Sequence, residues 1–327
     1  MPSCLISFGA NLGARQSAIV SAIRSLSGRP GVSDFRTSRL YETPPIGGPA
    51  GQEPFLNGVA AMQVDADAWQ VLDWLQTLEQ QLGRQRHARW SARRIDLDVV
   101  LHGHLVGGST DLTVPHPRYT ARRFVLRPAC DVAAHVRDPR FGWTLAQLAR
   151  HIEGGNPSLA LVGCDAATRA ELCQLLQSRH RIATFAEADL PTPMTVIANA
   201  PGGWDGRQQP DQTAGRPASC PTTAPTRWPL NGVGDSAWVA AFAGPLPAWD
   251  DPLALDPGIP RLLARIAWTR PEDRWPAPHS IWPSSSRWPE YRLEVDDLSW
   301  AADEIASALQ SMRCPIRPVT DDGNWWQ

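Results

Sequence analysis

Apolar positions in the first half of the chain alternate in short runs or return every three or four residues. Alternating or continuous apolar runs predict four strands, at residues 3–8, 32–41, 55–64 and 95–101. Helical spacing predicts two helices, at 16–26 and from Asp65 to about Leu82. The order βαββαβ is the split-βαβ pattern of ferredoxin-like α+β folds, which is the fold class that we expect for this half.

Glycine and proline mark a boundary near the middle of the chain. The sequence Gly-Gly-Asn-Pro at 154–157 is typical of a linker, so we predict domains at 1–156 and 157–327. The second half alternates short apolar strands with helices, which favours an α/β domain. Predicted strands lie at 159–162, 182–185, 195–198, 262–268 and 291–295, with helices at 166–176 and 300–312. Residues 201–235 are rich in Pro, Gly, Thr, Gln and Asp, and predict a long flexible insertion.

Composition excludes several classes of protein. A formal charge of −2 over 327 residues gives no global field that would attract nucleic acid or an anionic membrane. No apolar run reaches the length of a spanning helix, and the N-terminus lacks the basic and apolar regions of a secretion signal, so we expect a cytoplasmic protein. The six cysteines contain no CxxC pair, which argues against a zinc site or a disulfide framework.

Every one of the 31 basic residues is arginine. The absence of lysine rules out Schiff-base chemistry, a lysine general base and the lysine of an ordinary phosphate-binding P-loop. Any contact with phosphate must therefore use arginine, whose planar guanidinium forms paired hydrogen bonds to phosphate oxygens. Tryptophan and proline are concentrated after residue 157, which supports the division into two unlike halves.

The densest chemical motif runs from residue 84 to residue 98. Five arginines lie within the eleven residues 84–94, and a predicted strand carrying Asp96 and Asp98 follows directly. Side chains two positions apart on a strand share a face, so the two carboxylates point the same way. Two carboxylates beside arginines suit Mg²⁺ that bridges phosphate oxygens. The alternative is a solvated basic loop followed by an edge strand with two aspartates.

Two further segments supply polar and aromatic groups that suit a planar ring. The stiff Pro-Pro loop in 41–47 leads to Phe55 and Asn57, of which one could stack on a heterocycle and the other hydrogen-bond its edge. The segment 114–126 contributes a histidine, several arginines and Phe124. Each segment taken alone is also compatible with a turn or a packed core.

Taken together, the segments 8–13, 41–47, 55–57, 84–98 and 114–124 resemble 6-hydroxymethyl-7,8-dihydropterin pyrophosphokinase, a folate-pathway enzyme. Five separated motifs occur in the family's order, and they cover about residues 1–155. The resemblance implies a ferredoxin-like α+β fold. It also implies transfer of a diphosphate from MgATP to the hydroxymethyl group of the pterin, with release of AMP.

The resemblance also implies roles for individual residues. Two Mg²⁺ ions are expected at Asp96 and Asp98, and these residues with Arg84 and Arg93 form the expected catalytic set. The positions that match contacts to ATP are Gln76, Glu79, Arg84, Trp90, Arg93, His116 and Arg122. The positions that match contacts to the pterin are Thr43, Pro44, Pro45, Phe55, Asn57 and Phe124. Trp90 matches an aromatic residue on a loop that closes over the site.

The second half resembles a degenerate P-loop kinase domain. Residues 163–170 follow an apolar strand and open a helix, as a P-loop does, but Thr168, Arg169 and Ala170 replace the second glycine, the lysine and the Ser/Thr. Other interpretations stay open: a small α/β domain that aids stability, a second half that binds a nucleotide, or a non-catalytic scaffold that binds pterin or nucleotide. The Trp- and Pro-rich stretch 268–288 is compatible with a partner surface or with packing against the core.

Overall fold

The computed structural model describes residues 1–83, 92–108, 111–186, 232–248, 250–268 and 287–327, together with positions 228 and 230. In the first half, the strands are β1 (Ser3–Ala10), β2 (Val32–Thr37), β3 (Tyr41–Thr43), β4 (Phe55–Val64), β5 (Asp96–His102), β6 (Gly107–Gly108) and β7 (Thr113–Val114). The helices are α1 (Arg15–Ser27), α2 (Ala68–Gln81), α3 (Arg123–Ala133) and α4 (Leu145–Glu153), and a 3₁₀ turn covers Tyr119–Ala121. This half therefore has the α+β architecture that the pattern predicts.

The first sheet has the order β13-β3-β4-β1-β5, where β13 is Arg317–Pro318 near the end of the chain, and β2 pairs with the far end of β4. All its pairings are antiparallel. The single strand predicted at 32–41 is wrong, because the chain forms two short strands with a break between them. At the break, the Ser38 N–H donates to the Val59 carbonyl at 2.8 Å and the Val59 N–H donates to Ser38 Oγ at 3.0 Å. The Ser38 hydroxyl thus replaces a backbone carbonyl as the acceptor for the Val59 N–H where the pairing of β2 with β4 stops.

Helix α2 begins two residues later than the sequence predicts. Asp67, rather than Asp65, caps it: the Asp67 carboxylate accepts from the N–H groups of Trp69 and Gln70, and the Gln70 side chain accepts from the Asp67 N–H. This reciprocal capping box satisfies donors that would otherwise be unpaired at the helix start. The Asp65 N–H instead donates to Gly31 at 2.8 Å.

Both faces of the first sheet are buried, which explains the long apolar runs in its central strands. On β1, Cys4, Ile6 and Phe8 pack in one cluster with α1 and α2. Leu5, together with Val59 on β4, packs in a second cluster with α3 and α4. Alternate residues of one strand therefore enter two different cores, as the two-residue repeat of a strand requires.

The second half contains a five-stranded parallel sheet with the order β12-β11-β8-β10-β9. Its strands are β8 (Ser158–Gly163), β9 (Ala183–Phe185), β10 (Trp238–Ala240), β11 (Leu262–Trp268) and β12 (Glu290–Val295), and its helices are α5 (Ala166–His180) and α6 (Leu298–Arg313). The predicted strand at 195–198 and most of the predicted insertion at 201–235 lie outside the described residues. Trp228, within that insertion, is buried and stacks on Phe242 with 5.3 Å between ring centroids.

The two halves share one hydrophobic core across the predicted linker. The cluster under α3 and α4 continues without interruption into the parallel sheet. At the junction, the Trp143 and Trp288 rings lie 5.4 Å apart, and His151 Nε2 lies 2.9 Å from the Arg261 carbonyl. The described parts of 1–156 and 157–327 are therefore packed together rather than tethered. No helix among the described residues is long and apolar enough to cross a membrane.

The end of the chain returns from the second half to the first. After α6 the chain forms β13 (Arg317–Pro318), which pairs with the outer edge of β3 in the first sheet. Trp325 and Trp326 then pack against the cluster that contains α1 and α2. The first sheet thus contains a strand that lies more than two hundred residues away in the sequence.

Candidate active site

An open cavity lies at the end of β1. Ten of the residues predicted from the sequence line it: Thr43, Pro44, Pro45, Phe55, Asn57, Arg93, Asp96, Asp98, Arg122 and Phe124. They come from separate segments of the first half. One cavity therefore contains the whole predicted pterin set, both predicted metal ligands and two of the predicted phosphate arginines.

Sheet register explains why these residues meet. Gly9 of β1 lies opposite Asn57 on one side and opposite Asp96 on the other. Ser7, two residues earlier, lies opposite Asp98. Cross-strand partners, and residues two apart on a strand, project from the same face of a sheet. The Asn57 amide, which is predicted to hydrogen-bond the ring, therefore lies on the same face of the sheet as Asp96 and Asp98, which are predicted to bind metal.

Gly9 leaves room for the Asn57 side chain. A Cβ at position 9 would lie 2.6 Å from Asn57 Oδ1, which is closer than real Cβ contacts come. Asn57 is buried, and its Nδ2 donates to Thr43 Oγ1 at 2.8 Å. This bond joins β4 to the start of the Pro-Pro loop, so the amide is fixed from both sides.

Asp96 is paired with Arg93. The Arg93 Nη1 to Asp96 Oδ2 distance is 2.6 Å. Burial lowers the pKa of the Arg93 guanidinium, but the charge and hydrogen bond of Asp96 outweigh this effect, so the pKa lies above its ordinary value. The Arg93 guanidinium therefore stays charged, and both residues line the cavity.

Asn11 is a site residue that sequence reasoning missed. Its Oδ1 accepts from the Arg93 N–H at 2.7 Å, while the Arg93 carbonyl accepts from the N–H groups of Asn11 and Leu12. The turn after β1 thus holds the backbone of Arg93 in place. Residues 8–13 belong to the motifs that carry the resemblance, so this turn was a candidate part of the site. The sequence of the motif does not show that the turn contacts Arg93.

Asp98 faces two cationic or titratable groups at longer range. Arg122 Nη1 lies 3.6 Å from Asp98 Oδ2, and His116 Nε2 lies 3.9 Å from it. His116 Nδ1 accepts from the Arg118 N–H at 3.1 Å, which places the ring proton of the neutral form on Nε2. Burial, followed by the charges of Arg122 and Arg118, holds the pKa of His116 well below its ordinary value. The imidazole is therefore neutral near pH 7.

Two of the remaining predicted residues, Glu79 and Gln76, stand apart from the cavity wall. Glu79 on α2 is buried, and its Oε1 accepts from the Leu97 N–H at 2.8 Å, so this carboxylate fixes the start of β5. Gln76, on the same helix, is half-buried and is not among the lining residues. Arg84 and Trp90 lie outside the described residues.

The carboxylate pair fits a Mg²⁺ site that is completed by substrate. Asp96 and Asp98 are partly exposed and line the same cavity. In the part of the chain that the structure describes, no group of three or more His, Cys, Asp and Glu side chains could hold a metal. Mg²⁺ is commonly bound by one or two carboxylates together with substrate phosphates and water, so a pair beside arginines is a sufficient donor set.

Comparisons with known proteins match the part of the chain that carries the cavity. The model of the family described as 7,8-dihydro-6-hydroxymethylpterin-pyrophosphokinase (HPPK) matches residues 5–134. The 2-amino-4-hydroxy-6-hydroxymethyldihydropteridine pyrophosphokinase of Pseudomonas aeruginosa is 37% identical over 134 residues, which is 41% of this chain and 82% of that protein. The Bacillus subtilis protein of the same name is 34% identical, over 40% of this chain and 78% of that protein.

Longer proteins match over a smaller share of their length. The folic acid synthesis protein fol1 of Pneumocystis carinii is 38% identical over 43% of this chain, but the match spans only 19% of that protein. A solved Plasmodium falciparum HPPK-DHPS is 9% identical, with a TM-score of 0.34, over 57% of this chain and 56% of that chain. The family assignment rests on the two pyrophosphokinases of which this chain covers 82% and 78%. The motifs, the cavity and these matches agree, and the chain belongs to the 7,8-dihydro-6-hydroxymethylpterin-pyrophosphokinase family.

Proposed function

We propose that the cavity at the end of β1 carries out the reaction that the resemblance implies. In this reaction the terminal diphosphate of MgATP passes to the hydroxymethyl oxygen of 6-hydroxymethyl-7,8-dihydropterin, and AMP leaves. The observation that carries the proposal is the shared cavity: a wall suited to a planar ring and a wall of carboxylates and arginines line the same space. Catalysis of this kind depends on positioning two substrates and on neutralising phosphate charge.

Phe55, Phe124 and Asn57 form the pterin side of the site in this proposal. The two aromatic rings offer faces that suit a planar heterocycle, and the Asn57 amide offers both a donor and an acceptor for its polar edge. Thr43 orients that amide through its 2.8 Å hydrogen bond. The following Pro44 lies on the wall beside it. This arrangement favours a flat, polar-edged substrate over a flexible one.

Arg93, Arg122 and the two aspartates form the phosphate side. Two Mg²⁺ ions held by Asp96 and Asp98 would supply Lewis-acid stabilisation of the triphosphate when they are bound. Arg93 and Arg122 supply permanent positive charge against the non-bridging oxygens. His116, neutral and with its ring proton on Nε2, faces Asp98 across 3.9 Å and would offer that proton to the nucleotide. The resemblance also implies contacts to the nucleotide at Gln76, Glu79, Arg84 and Trp90, and we include these contacts in the proposal.

The test uses the full-length chain with MgATP and 6-hydroxymethyl-7,8-dihydropterin. We expect Asp96→Ala and Asp98→Ala each to abolish Mg-dependent AMP release, because each removes half of the carboxylate pair. Asp73→Ala is the matched control, since Asp73 lies on the exposed side of α2 and should leave the rate unchanged. Activity close to wild type in both site variants would refute the metal assignment.

For the second half, we propose a degenerate P-loop-like domain that does not bind nucleotide at residues 163–170. Arg169, at the position of the P-loop lysine, points back at the loop itself. Its Nη1 donates to the Gly163 carbonyl and its Nε donates to the Ala241 carbonyl, both at 2.8 Å. Because its guanidinium already donates to these carbonyl oxygens, we assign Arg169 a structural role rather than a phosphate-binding one. Isothermal titration of the full chain with Arg169→Ala tests this: the number of bound ATP molecules should not change.

A further inference from the structure

The last residues of the chain run along the pterin side of the first sheet. We name residues 315–327 the C-terminal strap. In its first part, β13 pairs with β3 so that Arg317 lies opposite Glu42 and Pro318 lies opposite Tyr41. The ladder continues beyond β13, because the Val319 N–H donates to the Leu40 carbonyl at 2.8 Å. The strap is therefore an added edge strand of the sheet that carries the site.

The far end of the C-terminal strap is anchored by tryptophans. Trp325 Nε1 donates to the Ser38 carbonyl at 2.8 Å, and its ring lies 6.1 Å from the ring of Phe8. Trp326 packs edge-on against Phe35 with 5.6 Å between centroids. Two aromatic contacts and a hydrogen bond to the break between β2 and β3 hold the strap after its ladder ends.

The element that the strap covers leads directly into the pterin wall. β3 ends at Thr43, whose hydroxyl orients Asn57, and Pro44 and Pro45 follow on the same wall. Phe8, which contacts Trp325, also lines the cavity. The strap thus contacts two cavity-forming segments from behind without lining the cavity itself.

An ion pair and the second half reinforce this position. Arg317 Nη2 lies 2.6 Å from Glu42 Oε1, one residue before Thr43. Behind the Pro-Pro loop, a separate cleft places Pro44 and Pro45 opposite Leu309 and Arg313 of α6. The pterin wall is therefore enclosed between the cavity on one side and elements of the second half on the other.

A three-residue strand is a weak support for a binding wall. β3 has one partner in β4, and its outer edge would otherwise expose unpaired backbone groups. Short edge segments with few buried contacts open more readily than the rest of a fold, and each such opening disorders the groups that follow. Pairing on the second edge reduces this motion and preorganises the wall, which improves binding by lowering the ordering cost.

We propose that the C-terminal strap is a positioning element of the pterin pocket. It holds β3 in the sheet, and β3 holds Thr43, Pro44 and Pro45 in the geometry that binds the ring. The second half thereby supports the reaction of the first half through the strap, rather than through chemistry of its own. This inference rests on the proposed pterin pocket, and the experiment below tests the two separately.

Val319 allows a test that leaves the site untouched. Val319→Pro removes the N–H that donates to Leu40, whereas Val319→Ala keeps it and is the matched control, since the Val319 side chain is 41% exposed. A second variant is truncated after Pro315 and lacks the rest of the strap. The measured quantities are the dissociation constant for 6-hydroxymethylpterin by calorimetry, and KM for the dihydropterin and for ATP by AMP release.

We expect Val319→Pro to weaken pterin binding by about five-fold, as for one lost backbone hydrogen bond, and the shortened chain to weaken it by about ten-fold or more. Val319→Ala should match wild type, and KM for ATP should stay within about two-fold in every variant. Loss of folded protein alone lowers kcat per mole of chain and the melting temperature, but it leaves KM and the dissociation constant unchanged.

The proposal is overturned if the strap variants that fold bind pterin as tightly as wild type, or if KM for ATP rises as much as KM for the pterin. A wild-type chain that binds pterin but releases no AMP contradicts the proposed function alone, since calorimetry still measures the effect of the strap. A wild-type chain that binds no pterin contradicts both.

Discussion

Gly9→Ala should selectively damage recognition of the pterin. The added Cβ would lie 2.6 Å from Asn57 Oδ1, so the amide must move by several tenths of an ångström or rotate. Either movement lengthens or breaks its 2.8 Å hydrogen bond to Thr43. A neutral hydrogen bond contributes about 0.5–1.5 kcal/mol, which corresponds to about two-fold to about twelve-fold in affinity. We therefore expect KM for the dihydropterin to rise within that range, with a smaller change in KM for ATP.

The assay is AMP release by the full chain, with one substrate varied at saturation of the other. Gly28→Ala is the control, because residue 28 has an ordinary φ of −86° at the end of α1 and a Cβ there would meet only the Arg24 carbonyl at 3.4 Å. Equal KM for the dihydropterin in Gly9→Ala and wild type would refute the assignment of Asn57 as the group that reads the ring. An equal rise in both KM values would place the damage at the phosphate side instead.

Two further predictions concern residues that hold the site in place. Asn11→Ala removes the acceptor for the Arg93 N–H, so kcat/KM for ATP should fall about five-fold or more while calorimetric pterin affinity stays unchanged; a fall in pterin affinity alone would contradict this role. Asp131→Asn should reduce the loss of stability that the protein shows as the pH falls from 7 to 3. Burial raises the pKa of the Asp131 carboxyl, but hydrogen bonds from Arg39 and Tyr41 outweigh it and leave the pKa below its ordinary value. Wild type therefore loses this contribution as pH falls through the folded-state pKa, and thermal melts from pH 7 to pH 3 should show a smaller decline in the variant.

The secondary structure of the first half could be predicted because each element has its own local pattern. Strand and helix periodicity places β1, α1, β4, α2 and β5 within a few residues of their observed bounds. The break after β2 could not be predicted, since it depends on Ser38 bonding to Val59, a residue on another strand. The predicted start of α2 was wrong for a local reason: aspartate at either position 65 or 67 suits a helix cap, and only Asp67 has a glutamine three positions later to complete the capping box.

The site was predictable as a set of residues but not as an arrangement. The family motifs identified Asn57, Asp96 and Asp98, and the family match confirms the resemblance. Their proximity comes from the register of β1 with β4 and β5, which no single segment encodes. The roles of these residues remain predictions until variants are tested.

The C-terminal strap is the clearest example of a feature that could not be predicted from the sequence. Pairing of Arg317 with Glu42 joins residues 275 positions apart, and a two-residue strand has no periodicity to detect. The predicted boundary at 154–157 likewise describes composition rather than separation, because Trp143 and Trp288 pack across it. Tertiary pairing, not local propensity, decides both features.

The central claim is transfer of an intact diphosphate, and phosphorus-31 NMR of the reaction products tests it most directly. The full chain is incubated with MgATP and 6-hydroxymethyl-7,8-dihydropterin, and the spectrum is followed to completion. The account predicts AMP and a diphosphate ester of the pterin in equal amounts, with no product when Mg²⁺ or the pterin is omitted. Formation of ADP with a pterin monophosphate or free phosphate, or ATP that stays intact with both substrates present, would contradict it.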